Sequence, residues 1–353
     1  GAINRWRISD WSELLPWQEQ AEPVRQLAFS PDGTLLAASP ARKGITLWTM
    51  TDNTTLRTWQ GVLSIDTVAF SPDSKLLAYG NSNTITLRSV SDGRELRTLE
   101  VLENEEILQT LGGSGSSNIS ATFSPDGSLL AAARGKTIKL WNPTDGRCIL
   151  TLQGHAGSVT SVAFSPDGKI LASGSDDKTI ELWTIPDGQV IRTMRGHADK
   201  VFSVTFNPAG TLLASSSKDK TIKLWNVADG QERLTIPIEV NFDPNVTFSP
   251  DGTLLAAGSG AFVKLWSASD GREIRSLQGY AVSRVAFSLD SKLLAAGDLT
   301  GTITLWTLAD GQQVQTFREF TQAVLSIAFS PDGKFLAAGG QDQMVKLWEL
   351  NLD

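Results

Sequence analysis

One short string recurs eight times along this chain, and its spacing strongly restricts the folds available. Phe-Ser-Pro-Asp-Gly, or a close variant of it, returns at intervals of 41, 53, 41, 42, 42, 39 and 42 residues. The anchor phenylalanines are Phe29, Phe70, Phe123, Phe164, Phe206, Phe248, Phe287 and Phe329. Self-similarity at a fixed period of this kind is the signature of a repeat architecture. We therefore expect eight copies of one supersecondary unit.

Each repeat is predicted to contain four β-strands. Segments such as Ser-Val-Ala-Phe, ending at Phe164, and Thr-Ile-Lys-Leu-Trp, ending at Trp141, are short runs of strand type. Pro-Asp-Gly and a later Asp-Gly supply tight turns between them. One four-stranded sheet cannot bury both faces alone, but sheets stacked radially bury one another. The repeats therefore predict an all-β, eight-bladed β-propeller of four-stranded antiparallel blades, as a single domain over residues 1–353.

A Leu-Trp ending on the third strand makes the pattern more specific. Seven repeats carry it, at Trp48, Trp141, Trp183, Trp225, Trp266, Trp306 and Trp348, and the second repeat has Arg88 there. Gly-His precedes two of the strands that lead to an anchor, at His155 and His197. These strings resemble the WD-repeat family over nearly the whole chain. The resemblance implies a buried structural tetrad of His, Ser, Asp and Trp in two repeats. The two sets are His155, Ser175, Asp177 and Trp183, and His197, Ser217, Asp219 and Trp225.

The other repeats depart from the tetrad. The eighth keeps Asp342 and Trp348 but has Phe320 at the histidine position, and the seventh has Tyr280 there. Since the hydrogen-bonded set is complete in only two repeats, we expect the remaining blades to depend on apolar packing.

The N-terminal segment is predicted to close the ring. In family blades the outer strand comes from the segment before the next anchor, so the last blade lacks one. Residues 10–17 align with Asp145–Leu152, which predicts an outer strand near Glu13–Trp17. Residues 1–8 resemble a third strand and compete with Val345–Trp348. We expect residues 1–8 to be displaced from the ring; the alternative is a fragment of a longer repeat array. The chain also lacks an initiator Met.

Composition excludes several classes of function. The formal net charge of −7 opposes non-specific binding to nucleic acid, and no apolar run reaches the roughly 18 residues of a membrane helix. The single cysteine, Cys148, fits a reducing, cytoplasmic environment. No metal-ligand spacing or phosphate-binding loop is present, so we expect no metal and no cofactor. The His and Ser residues of the tetrads are interpreted as structural, so no catalytic residue is predicted.

The resemblance implies a non-catalytic scaffold or sensor that binds protein or peptide partners at the mouth of the channel. We expect it to belong to a larger, bacterial signalling protein with a fused effector domain such as a kinase or an NTPase. By repeat register, the candidate partner-binding residues are Arg25, Asp66, Arg134, Thr160, Lys200, Phe202, Lys218, Phe242, Leu299 and Leu325. Lys200, Phe202, Lys218 and Phe242 form the best single patch, since they come from adjacent blades.

Two questions stay open. An enzyme or small-ligand-binding propeller that uses the channel mouth is the alternative function, and a pocket with paired carboxylates would favour an enzyme. The candidate positions supply only Asp66 and Asp176 as acids, in different blades. The acidic insertion near Glu100–Glu106 is either a tolerated surface loop or a contact finger.

Overall fold

The strands of the chain form a closed ring of eight sheets. The computed structural model describes residues 3–7, 12–17, 23–40, 44–51, 54–59, 65, 67–80, 83–101, 120–239 and 245–350. Within these ranges there are 33 β-strands and no helix, and the strands associate in eight sheets. We call each sheet a blade and number the blades in chain order. The predicted eight-bladed, all-β propeller is confirmed.

Each blade runs outward from the channel. The inner strands are β3 (Val24–Phe29), β7 (Thr67–Phe70), β11 (Ser120–Phe123), β15 (Val159–Phe164), β19 (Val201–Phe206), β23 (Val246–Phe248), β27 (Val282–Phe287) and β31 (Val324–Phe329). The second strands are β4 (Leu35–Pro40), β8 (Leu76–Gly80), β12 (Leu130–Arg134), β16 (Ile170–Ser175), β20 (Leu212–Ser217), β24 (Leu254–Ser259), β28 (Leu293–Asp298) and β32 (Phe335–Gly340).

The third and fourth positions complete the blades. The third strands are β5 (Ile45–Thr49), β9 (Thr84–Ser89), β13 (Thr137–Trp141), β17 (Thr179–Thr184), β21 (Thr221–Asn226), β25 (Phe262–Ser267), β29 (Ile303–Thr307) and β33 (Val345–Glu349). The outer strands of blades 1–7 are β6 (Thr55–Trp59), β10 (Glu95–Glu100), β14 (Cys148–Gln153), β18 (Val190–Arg195), β22 (Glu232–Pro237), β26 (Glu273–Gln278) and β30 (Gln313–Phe317). The N-terminal strands β1 (Ile3–Arg7) and β2 (Ser12–Trp17) complete blade 8. Within blades 1–7 neighbouring strands are antiparallel, so every second connection lies at the same end of the ring.

The anchor turns join the inner and second strands through one small hydrogen-bonded unit. In blade 1, Ser30 Oγ donates to Asp32 Oδ1 at 2.6 Å and accepts from the Leu35 backbone N at 2.9 Å. The same Ser–Asp bond recurs in every other blade except blade 5. There Asn207 Oδ1 accepts from the backbone N of Thr211 and of Leu212, both at 2.9 Å. The recurring string is therefore a turn that caps its own backbone.

The hydrophobic core is divided into eight clusters, one between each pair of neighbouring blades. The third-strand tryptophans lie in these clusters, and Trp48 and Trp348 are completely enclosed. One cluster joins Val24 and Trp48 of blade 1 to Ala337 and Leu347 of blade 8. Because blade 8 packs against blade 1 as the other blades pack against their neighbours, the ring is closed.

The order of strands in blade 8 differs from the sequence-based expectation. β33 pairs in parallel with β1, matching Trp348 with Trp6, and β2 pairs antiparallel with β1. N-terminal strands thus close the last blade as expected. The prediction that residues 1–8 are displaced from the ring was wrong for β1. β33 is the third strand of blade 8, and β1 is the fourth. β2 is consequently a fifth strand and does not pair with β33.

Candidate functional site

The two ends of the ring carry different kinds of loop. The anchor turns and the Asp-Gly turns between third and outer strands lie at one end, which we call the turn face. The loops that precede the inner strands and those that follow the second strands lie at the other end, which we call the mouth face. The candidate partner-binding residues were chosen for the mouth face.

A polar cavity of about 820 Å³ occupies the channel at the mouth face. Three predicted residues, Arg25, Thr160 and Leu325, line it. Thr160 Oγ1 already donates to the backbone oxygens of Gly174 and Val201, at 3.0 and 2.6 Å. Its hydroxyl therefore joins blade 4 to blade 5 as well as lining the cavity.

No carboxylate is found among the described residues that line this cavity. Its charged lining residues are Arg25 and Arg284, and the neutral polar ones include Gln26, Asn245 and Gln341. The paired carboxylates that would favour an enzyme are thus missing from the described part of the lining. Asp66 lies outside the described residues. Arg284, three residues before Phe287, was not among the residues predicted from the sequence.

Lys200, Phe202 and Lys218 lie at the mouth-face end of blade 5, and Asp176 of blade 4 lies beside Lys200. Lys200 Nζ lies 5.6 Å from the centre of the Phe202 ring and 3.9 Å from Asp176 Oδ1. The backbone N of Lys218 donates to the Lys200 carbonyl at 2.9 Å, and the Lys218 side chain is exposed. We call Asp176, Lys200, Phe202 and Lys218 the blade 4–5 patch. Phe242, the fourth predicted member, lies outside the described residues.

The remaining predicted positions are spread over other blades. Arg134 ends β12 in blade 3, and Leu299 follows β28 in blade 7. Both are partly buried, and the Leu299 backbone N donates to the Ala281 carbonyl at 3.3 Å. The cavity and the blade 4–5 patch therefore do not include them. Most of the acidic insertion near Glu100–Glu106 also falls outside the described residues.

The histidine clamp of blade 4 uses a different serine from the predicted one. His155 Nδ1 lies 2.9 Å from Asp177 Oδ2, and His155 Nε2 lies 2.8 Å from Ser173 Oγ. Trp183 Nε1 donates to the same Ser173 oxygen at 2.8 Å. The assignment of Ser175 to the tetrad was wrong. Ser175 Oγ instead accepts from the Asp177 backbone N at 3.1 Å, which shapes the turn after β16.

Blade 5 repeats this geometry. His197 lies 2.8 Å from Asp219 Oδ2 and 2.7 Å from Ser215 Oγ, and Trp225 Nε1 donates to Ser215 at 2.8 Å. Ser217, the predicted member, donates to the Asp199 carbonyl at 3.0 Å and accepts from the Asp219 backbone N at 3.1 Å. In both blades the serine of the clamp stands two residues earlier on the second strand. Both positions face the same side of the sheet, since side chains alternate with a period of two.

The electrostatics of the clamps match a structural role. Burial alone would raise the pKa of Asp177, but hydrogen bonds from Thr179 and His155 outweigh it and lower the pKa to about 2. Burial lowers the pKa of His197 against the opposing effect of Asp219. The side chains of His155 and His197 are enclosed, with exposed fractions of 0% and 1%. Each histidine fastens the loop before the inner strand to the second and third strands.

Comparison with known proteins gives the same assignment as the clamps. The family model described as WD domain, G-beta repeat matches residues 105–142 and 146–184, and the one described as IFT122 first beta-propeller matches residues 180–353. The chain belongs to the WD-repeat family. The match to residues 146–184 runs from the outer strand of blade 3 through three strands of blade 4, so each WD repeat is offset from its blade.

Two known proteins are similar to this chain, one in sequence and one in fold. The WD repeat-containing protein SL1-17 of Schistosoma mansoni is 31% identical over 178 residues, which cover 41% of this chain and 59% of that protein. This WD-repeat chain therefore spans about three fifths of that relative's length. The crystal structure of the computationally designed Ika8 protein has a TM-score of 0.79 at 23% identity, over 94% of this chain and 98% of that one. At that identity the likeness concerns the fold alone.

Two WD repeats that depart from the tetrad contain other contacts at the same place. In blade 2, Arg88 Nε donates to the Tyr79 hydroxyl at 2.8 Å, and its guanidinium lies 5.3 Å from the Trp59 ring centre. In blade 8, the Phe320 ring lies 6.4 Å from the Trp348 ring, and Asp342 accepts from the Thr321 backbone N at 2.6 Å. Tyr280 of blade 7 is 65% exposed.

Two further searches concern metal ions and membranes. Within the described ranges, no group of three or more His, Cys, Asp or Glu side chains is placed to hold a metal ion. In the same ranges no helix has the length and apolar character needed to cross a membrane.

Proposed function

We propose that this WD-repeat propeller is a non-catalytic interaction module that binds a protein or peptide partner on its mouth face, as part of a larger multidomain signalling protein. WD-repeat propellers typically bind protein partners, and this one presents a polar channel mouth beside the blade 4–5 patch. The observation that carries the proposal is the clustering of Lys200, Phe202 and Lys218 at that mouth.

The patch combines the features of an interface anchor. Lys200 is held between Asp176 and the Phe202 ring, and 37% of its side chain is exposed. Asp176 Oδ1 is enclosed and accepts no hydrogen bond from the described residues. Two lysines beside an aromatic ring favour a partner segment with acidic and apolar side chains.

Peptide selection followed by variant analysis tests the proposal. Peptides selected from a random display library on the intact chain are synthesised, and their binding is measured by fluorescence anisotropy. Lys200→Glu combined with Lys218→Glu reverses two charges, so we expect affinity to fall by roughly tenfold or more. Phe202→Ala is expected to weaken binding by removing the aromatic contact.

Lys169→Glu is the matched control, because Lys169 is an exposed lysine of the same blade 4 at the turn face. It changes net charge without touching the mouth. Peptides that lose affinity for the Lys169→Glu chain and keep it for the patch variants would place partner binding on the turn face and contradict the proposal.

A further inference from the structure

We propose that the channel cavity of the mouth face is a binding site for a small anion bearing carboxylate or phosphate groups, held by Arg284 and Arg25. The site is separate from the blade 4–5 patch and does not rest on the proposed partner binding. Three observations carry the inference: the register position of Arg284, the charges of the lining, and the size of the cavity.

Arg284 occupies a repeat position whose residues line the cavity in most blades. The residue three before the anchor phenylalanine is small or neutral in the other seven blades: Gln26, Thr67, Ser120, Ser161, Ser203, Asn245 and Ser326. Six of the eight positions, including Arg284, line the cavity. Blade 7 therefore places a cation where its neighbours place neutral polar groups.

Several of the neutral residues at this position accept hydrogen bonds from the next blade. Gln26 Oε1 accepts from the Val68 backbone N at 2.9 Å, which joins blade 1 to blade 2. Ser326 Oγ accepts from the Leu27 backbone N at 3.1 Å, and Ser161 and Ser120 make the corresponding bonds to blades 5 and 4. A guanidinium has five N–H donors and no acceptor, so Arg284 cannot make this bond to blade 8. Arg284 therefore does not belong to this set of blade-to-blade hydrogen bonds.

The charges of the described lining have one sign. Arg25 projects from blade 1 and Arg284 from blade 7, and no carboxylate accompanies them among the described lining residues. Both arginines interact with neighbours within the chain. Each guanidinium carries five donors, and a planar fork suits bidentate contact with a carboxylate or phosphate. Thr67, Ser120, Asn245 and Gln341 add neutral donors to the wall.

The cavity has the dimensions of a small-molecule site. Its volume of about 820 Å³ falls within the usual range for ligand pockets. The chain as a whole has a formal net charge of −7. Attraction of an anion must therefore come from the local arginines, because the net charge of the chain opposes it.

Isothermal titration calorimetry at low ionic strength, with the full chain, tests the assignment. Citrate is the carboxylate probe, inorganic pyrophosphate the phosphate probe, and a pentaglutamate peptide the probe for carboxylates borne on a chain. Arg284→Ser installs the residue found at this position in blades 3, 4, 5 and 8, and Arg25→Thr installs the residue that blade 4 has at the position of Arg25. Arg272→Ser removes an exposed arginine of the turn face and is the matched control.

We expect citrate or pyrophosphate to bind the unmodified chain and the Arg272→Ser chain equally. Arg284→Ser should weaken that binding by roughly tenfold or more, and Arg25→Thr should also weaken it, because each removes charge-assisted hydrogen bonds. The stronger of the two probes identifies the anionic group. Equal weakening by Arg272→Ser, absence of binding by both small anions, or binding of pentaglutamate alone would overturn the proposal. Peptide binding at the blade 4–5 patch is measured separately, so either idea can fail without the other.

Discussion

The hydroxyl of Ser173 lies at the centre of the blade 4 clamp, between the rings of His155 and Trp183. His155 Nδ1 lies 2.9 Å from Asp177 Oδ2, and His155 Nε2 lies 2.8 Å from Ser173 Oγ. Trp183 Nε1 then donates to the same oxygen. One hydroxyl thus satisfies two enclosed ring nitrogens, and its loss leaves both without that partner.

Ser173→Ala should lower the free energy of unfolding by about 1–3 kcal/mol, the usual cost of unpairing buried polar groups. Ser175→Ala is the matched control on the same strand and face. It removes only the bond to the Asp177 backbone N, so we expect a smaller effect. Denaturant unfolding of the two variants measures the difference. An equal or larger loss from Ser175→Ala would restore the serine predicted from the sequence.

Glu181 is an enclosed carboxylate beside this clamp. Its Oε2 lies 3.7 Å from His155 Nε2 and makes no hydrogen bond with the described residues. Burial raises the pKa of Glu181 above its ordinary value of 4.5. Since the folded state favours the protonated form, the contribution of Glu181 to stability is fully present below pH 4.5 and is lost as pH rises through the raised pKa.

Glu181→Gln should therefore stabilise the chain relative to the unmodified protein at pH 7 more than at pH 4. The amide keeps the shape of the protonated acid and carries no charge that burial would penalise. Urea unfolding of both chains at the two pH values gives the comparison. A stability difference that stays constant between pH 4 and pH 7 would show that ionisation of Glu181 does not affect folding.

At the scale of elements, outer strands hold the turns of the next blade. Arg57 and Arg192 donate to the carbonyls of Ser91 and Ala228, at 3.0 and 3.1 Å. Arg97 and Arg275 make the same kind of contact from blades 2 and 6. The glycines of the Asp-Gly turns serve this contact too, since the Arg192 stem lies 3.2 Å from where a Cβ on Gly230 would stand. In blade 8 the strands β1 and β2 lie beyond β33.

Deleting residues 1–8 should lower the melting temperature of the chain. The deletion removes β1, whose backbone pairs with β33, and exposes the edge of blade 8. Deleting residues 1–18 removes β2 as well and should lower melting at least as far. Both truncated chains should self-associate more than the full chain, because an unpaired edge templates pairing with other chains. Thermal melts and light scattering are the measurements.

The shorter deletion decides between two strand orders. An unchanged melting temperature would mean that β2 can pair directly with β33, which is the order expected from the repeat register. A clear decrease supports the order β2–β1–β33.

For the whole molecule, stability depends on closing the ring at the contact of blades 8 and 1. Gly339 lies in β32 where a Cβ would stand 2.6 Å from Val24 Cγ1. Pro331 of blade 8 packs near Gly33 of blade 1, and Leu27 donates to Ser326 across the same contact. Chain segments more than 290 residues apart thus contact each other here in the same way as consecutive blades do elsewhere in the ring.

Gly339→Ala should destabilise the ring by about 1–3 kcal/mol through overpacking. The combined cost of Gly339→Ala and Val24→Ala should be smaller than the sum of their separate costs, because the second change makes room for the new methyl group. Gly333→Ala is the control in blade 8: its φ is +72°, but nothing lies within 4 Å of the added Cβ. Its cost should add to that of Val24→Ala without coupling. Additivity of Gly339→Ala with Val24→Ala would mean that crowding against Val24 is not the cause.

The eight repeats, their strands and their turns were predictable from the sequence, because alternation and turn chemistry act over a few residues. The choice between Ser173 and Ser175 was not, because both face the same side of β16 and only the depth of the His155 and Trp183 rings selects one. The place of β1 depended on which strand edge remained free after ring closure. The placement of Arg25 and Arg284, 259 residues apart, around one cavity likewise required the closed ring. Local patterns determined the blades, and the tertiary structure decided which distant groups share the channel.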